Sequence, residues 1–245
     1  MEWKLRAGSV PTALALALLF HSCNAGHFVQ RTALTMPLHE LGHAITAWWC
    51  GYAAIPTFWK TLIPESRSLL ISLLVVGLEG FVLWRAWVSQ RMLLFAVGLV
   101  LAILQFVGTS SHSQDTVMTA FTFGGDAGAM VLGAALMLTF FVGPDSRLRA
   151  GGLRFGLLAI GAAALVDTFA TWWVARTDPD VIPFGEIEGV GQSDPSKLVD
   201  VHGWTVAQVV DRYVVVGVAC LAVVLAAWLW ALRKGPGAGS TSDDA

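Results

Sequence analysis

Residues 206–232 read VAQVVDRYVVVGVACLAVVLAAWLWAL, and after the adjacent Asp211 and Arg212 no charge interrupts the run. A hydrocarbon layer about 30 Å thick needs roughly 20 such residues wound as helix, which satisfies its own backbone hydrogen bonds there. Outward from this stretch, similar runs occupy about 9–23, 68–88, 92–109, 117–142 and 152–175. The whole chain agrees: 56% of its residues are apolar and 13% charged, with a mean hydropathy of +0.66, against about 25% charged in ordinary soluble domains. The sequence predicts an all-α fold, a polytopic membrane helix bundle of about six transmembrane helices. It forms one domain over residues 1–234, and a tail over 235–245, rich in Gly, Ser and Asp, is expected to be disordered. A net charge of −2 gives no surface for nucleic acid. Cys23, Cys50 and Cys220 are too scattered for a disulfide framework or a thiolate zinc site.

A seventh apolar stretch, 35–50, is shorter. It opens on Thr35-Met36-Pro37, which suits a helix N-terminus, and stops at Gly51, which suits a C-terminus. Its length of about 21–24 Å is short for a crossing, so the expectation is a re-entrant or half-depth helix. Arg85 and Arg91, Arg147, Arg149 and Arg154, and Arg233 and Lys234 mark cytoplasmic segments, and Lys4 and Arg6 a cytoplasmic N-terminus. The acidic segment 177–205 then lies outside. It reads as a solvated loop, with a cap over the protein as the alternative, since its length exceeds an ordinary connection. Residues 1–25 resemble a signal peptide, but Cys23-Asn24-Ala25 is a poor cleavage site, and retention as a first span is expected. The setting expected is a bacterial plasma membrane.

Chemistry concentrates in Leu38-His39-Glu40-Leu41-Gly42-His43-Ala44, a His-Glu-x-x-His pattern. Residues four apart share a helix face, so His39 and His43 can hold one metal ion. Glu40, about 100° around the axis, can serve as base toward a metal-activated water without being a ligand. With six histidines and six glutamates in 245 residues, random placement yields the pattern about 0.4% of the time. Two histidines and a glutamate inside an apolar helix are costly unless paired, coordinated or hydrated. A helix–helix hydrogen-bond cluster is the plainer alternative.

The HELGHA segment in a multispan chain resembles the zinc helix of the site-2 protease family of intramembrane metalloproteases. The match covers about ten residues. The resemblance implies a Zn2+ cofactor, a membrane-anchored protein substrate and a third ligand, an aspartate on a later transmembrane helix. The family's Asn-x-x-Pro-x-x-x-Leu-Asp-Gly stretch is absent, and its nearest analogue is Gly124-Gly125-Asp126-Ala127-Gly128. Asp126 lies about 14 Å into its span, and the glycines around it permit close helix approach. Glu79 and His112 are rivals for that place. Asp167 fits a pair with Arg154 or Arg176, or a bond to a neighbouring helix, as well as it fits a metal. His21, His27 and His202 fall near span ends or in the external loop, where a histidine needs no special role.

The leading expectation is therefore a zinc metalloendopeptidase with ligands His39, His43 and Asp126 and with Glu40 as general base. An ion or proton transporter using Glu79, Asp126 and Asp167 is one alternative, although it gives Glu40 no task. A zinc-binding pseudoprotease is another.

Overall fold

The computed structural model describes residues 2–110, 113–143, 146–187 and 191–233. His112 and the tail over 235–245 lie outside them. Helix α1 (Glu2–His21) ends at Ser22 and Cys23, and the chain resumes as α2 (Asn24–Val29), a π-helical segment (Gln30–Thr35) and α3 (Met36–Trp49). The helical stretch from Asn24 to Trp49 bends by 110° from α1, and the two pass together as one broken span or a re-entrant loop.

The short motif helix thus does not begin at Thr35 but continues from α2, and the re-entrant course expected of 35–50 is one of these two arrangements. Thr35 does not cap it: the residue is helical and makes no side-chain cap bond. Pro37 lacks an N–H and crowds the carbonyl four residues back, which would break a regular α-helix. The π segment widens the turn at that place and carries the helix through. Gly51, at φ 85°, ends it as expected.

A hairpin of β1 (Ile55–Pro56) and β2 (Thr61–Leu62) follows, then α4 (Leu69–Val88) and α5 (Met92–Ser110). Next come α6 (Gln114–Leu138), extended to Phe141 by a 3-10 turn, and α7 (Leu153–Val174). Among the described residues, five helices are long and apolar enough to cross a membrane: α4, α5, α6 with its 3-10 turn, α7 and a last helix over Val206–Arg233. Counting the bent pair as one crossing makes six, an even number that returns the chain to its starting face. Helices α6 and α7 are about half buried in their apolar windows (56% and 50%), and Met130, Met137, Leu165 and Trp172 are fully enclosed between them and their neighbours. By contrast, α4 and α5 are 6% and 11% buried and present Leu70, Leu73, Leu78, Leu93, Val100 and Phe106 outward. So broad an apolar exterior suits lipid.

The 177–205 segment is a solvated loop only in part: residues 177–181 and 183–186 are exposed, whereas the stretch from Ser193 to Leu198 packs against the bundle. A two-stranded hairpin, β3 (Glu186–Ile187) with β4 (Gly191–Gln192), leads into α8 (Asp194–Ser196) and a π turn (Lys197–Val201). Ser193 caps α8, its Oγ accepting from the Ser196 N–H. Ser193, Pro195, Ser196 and Leu198 are all buried, and Leu198 joins the main core. Burying a leucine stabilises by about 1.5–3 kcal/mol, enough to hold this turn against the bundle. Helix α9 (Val206–Arg233) then runs back along α6 and α7.

Candidate metal centre

Glycine sets the distance between α3 and α6. A Cβ on Gly128 would strike the Cα of Gly42, and one on Gly42 would strike the Gly124 carbonyl oxygen. Thr46, one turn beyond Gly42, meets Gly124. As α3 advances it therefore meets earlier residues of α6, so the pair is antiparallel and closely spaced, as small residues allow. A Cβ on Gly125 would lie 2.5 Å from His43 Nε2 and 2.6 Å from His39 Cε1. The glycines expected to make room for the motif helix do so, and Gly125 makes room for the imidazoles themselves.

Both rings are held from behind. His43 Nδ1–H donates to the Phe121 carbonyl at 2.8 Å, and His39 Nδ1–H donates to Asp126 Oδ1 at 2.9 Å. With the proton of each neutral imidazole committed to Nδ1, each Nε2 presents a lone pair. The two Nε2 atoms face one another at 3.1 Å. Asp194 Oδ2, from α8, lies 2.9 Å from His43 Nε2 and 3.1 Å from His39 Nε2. Three acceptors about 3 Å apart repel unless a proton or a metal ion is shared among them. A tetrahedral ion with legs of about 2.0–2.1 Å has edges of about 3.3 Å, close to the spacing found. The residues present therefore fit a metal ion, and His39, His43 and Asp194 form one of the groups whose donor atoms converge.

Asp126 does not stand where the sequence placed it. It meets His39 at Nδ1, the nitrogen that points away from the converging atoms, and it is occupied by other donors. Trp172 Nε1–H donates to Oδ2 at 2.8 Å, and Arg31 Nη2 lies 3.4 Å from Oδ1. Its place among the converging donors is taken by Asp194. Glu79, the rival on α4, accepts from Trp49 Nε1–H at 2.7 Å and is not part of the cluster. Sequence reasoning passed over Asp194 because it sits in an acidic loop. The signal available was Ser193-Asp194-Pro195, a capped acidic helix start, followed by the apolar pair Leu198-Val199.

Burial alone would raise the Asp194 carboxyl; without a metal ion, a proton on the facing Nε2 atoms of His43 and His39 outweighs burial by charge and hydrogen bonding and holds the group below the usual carboxylate range. Lys197 Nζ, 3.7 Å from Oδ1, adds a further cation. Glu40 is 4% exposed. The β1–β2 hairpin brings Thr61 Oγ1 to 2.8 Å from both the Glu40 carbonyl and its Oε2, so one hydroxyl proton serves either acceptor. Tyr213 stacks between Phe123 and Trp172 at 4.5 and 4.3 Å, and its buried hydroxyl has no partner among the described residues.

Comparison with known proteins finds nothing similar: no family model, no curated protein and no solved structure matches the chain.

The remaining polar residues are more organised than their positions in the sequence suggest. His202 meets Asp115 Oδ1 at 2.7 Å. His21 and His27, expected to be merely solvated, both meet Asp167 on α7. Asp167 also lies 3.6 Å from Arg31 Nη1, a partner not among those expected for it, Arg154 and Arg176.

Proposed function

We propose that this chain is a membrane-embedded zinc metallopeptidase, with His39, His43 and Asp194 holding the ion and Glu40 acting as general base. The observation that carries the reading is the convergence of two Nε2 lone pairs and one carboxylate oxygen at about 3 Å, on a helix whose next residue after the first histidine is a buried glutamate. Bound there, zinc supplies a Lewis acid and makes water acidic enough to lose a proton near neutral pH. Glu40 takes the proton of the attacking water and returns it to the leaving amine. Thr61, donating to Oε2, fixes the Glu40 carboxylate in one rotamer. Asp126 keeps the His39 proton on Nδ1 and so keeps Nε2 free; its own charge is balanced by Arg31 and the Trp172 indole. Tyr213 offers an uncommitted hydroxyl donor in the same part of the core.

The resemblance to the site-2 protease family, carried by residues 38–44, points the same way and suggests substrates anchored in the membrane. A helical substrate hides its carbonyls in its own hydrogen bonds, so it must unwind locally before cleavage. A transporter gives no account of a base beside the first histidine.

The test uses the purified full chain in lipid vesicles with a panel of single-span reporter peptides and product mapping by mass spectrometry. Cleavage that a zinc chelator stops and that Glu40→Gln lowers by about 10²–10⁴-fold, with metal content unchanged, is the expected result. Undiminished cleavage by Glu40→Gln would overturn the role of Glu40. A zinc-loaded protein that cleaves none of the panel favours a binding role instead.

A further inference from the structure

We infer a second divalent-metal site in this chain, formed by His21, His27 and Asp167 at the break between α1 and α2. The inference stands independently of the peptidase reading, because it shares none of its ligands.

Asp167 is fully enclosed in α7, with no accessible surface. Its Oδ1 lies 3.2 Å from His21 Nδ1 and 3.1 Å from His27 Nε2. All three donor atoms fall within 4.8 Å of one another. The two rings stand edge to face, with centroids 4.5 Å apart, so both nitrogens can turn to one point. Asp167 Oδ2 is buried without a hydrogen-bond partner among the described residues, and Arg31 Nη1 is 3.6 Å away. A buried carboxylate left short of donors in an apolar bundle is expensive, and an ion shared with two imidazoles would offset that cost.

Two nitrogens and one carboxylate oxygen suit a borderline divalent cation such as zinc and leave a fourth position for water. The His27 side chain is 44% exposed, which gives an ion a way in. The histidines flank Ser22 and Cys23, where the helix breaks and the chain turns by 110°, and Asp167 belongs to the central helix α7. An ion here would pin that corner to the core. Arg31 reaches Asp167 with one nitrogen and Asp126 with the other, so the corner and the support of His39 share one cation.

Metal stoichiometry of the full chain in detergent, stripped with chelator and reloaded with Zn2+, tests the proposal. The wild type is expected to hold two ions per chain, and His27→Ala one. His39→Ala/His43→Ala is also expected to hold one, and the triple variant none. His27 is half exposed, so its loss leaves the fold intact, and Asp167→Asn supplies a second variant of unchanged shape. An ion-free His39→Ala/His43→Ala protein with the wild-type elution profile would overturn the second site. So would a wild type and a His27→Ala variant that both hold one ion. If instead His27→Ala holds none while His39→Ala/His43→Ala holds one, the second site stands and the motif centre fails.

Discussion

The chain contains two clusters of the same composition, two histidines and one aspartate, that differ in what stands behind the rings. At His39 and His43, the Asp126 carboxylate and the Phe121 carbonyl take the Nδ1 protons and force both Nε2 lone pairs inward. At His21 and His27, no such acceptor meets the outer nitrogens among the described residues, so each ring can also donate to Asp167 as an ordinary hydrogen bond. The first cluster is therefore built for a cation even when empty, while the second needs the ion to arrive. The helix of the first also carries a buried glutamate, Glu40, the base of the proposed reaction. Ligand identity alone does not make a catalytic centre; the partners that orient each ligand do.

The largest effect that would break this comparison comes from Gly125. A Cβ there falls on the donor atoms themselves, so Gly125→Ala should cost about 1–3 kcal/mol of stability through overpacking and empty the motif site. Gly77→Ala, where nothing lies within 4 Å, is the matched control and should change neither. Thermal unfolding followed alongside zinc content reads both.

Removing the acceptor behind His39 comes next. Asp126→Asn should weaken zinc binding at the motif by about 10–100-fold, the usual cost of a lost orienting partner, without changing the number of ions held. Complete loss of the motif ion in that variant would make Asp126 a ligand after all. Competition against a chelator of known affinity measures the difference.

A smaller effect is expected at Thr61. Its hydroxyl bonds a buried carboxylate, a bond worth about 1.5–3 kcal/mol, shared here with a carbonyl. Thr61→Val should lower turnover by about tenfold or more and leave metal content alone, as the comparison requires of a residue that orients the base. Steady-state cleavage of a reporter peptide, set against zinc content, separates the two.

The helices long and apolar enough to cross a membrane were legible because length and hydropathy are local properties, and α4 to α7 and α9 follow the apolar runs closely. His39, Glu40 and His43 were legible for the same reason: one helical turn specifies their geometry. The union of α2 and α3 was not, because Pro37 reads as a helix start unless the π segment before it is known. Asp194 was hidden for a different reason. It reaches the histidines only because Leu198 and Pro195 bury the α8 turn against the bundle, a tertiary contact that an acidic, proline-bearing loop does not announce. Asp126 had the right depth and the right glycines, yet those glycines serve the approach of α3, and its carboxylate serves the far side of the His39 ring.

The most direct test is anomalous diffraction at the zinc edge from crystals of the full chain. The account predicts a peak about 2.0–2.2 Å from His39 Nε2, His43 Nε2 and Asp194 Oδ2. A peak ligated by Asp126 in place of Asp194, or no peak at the motif in zinc-loaded crystals, would contradict it.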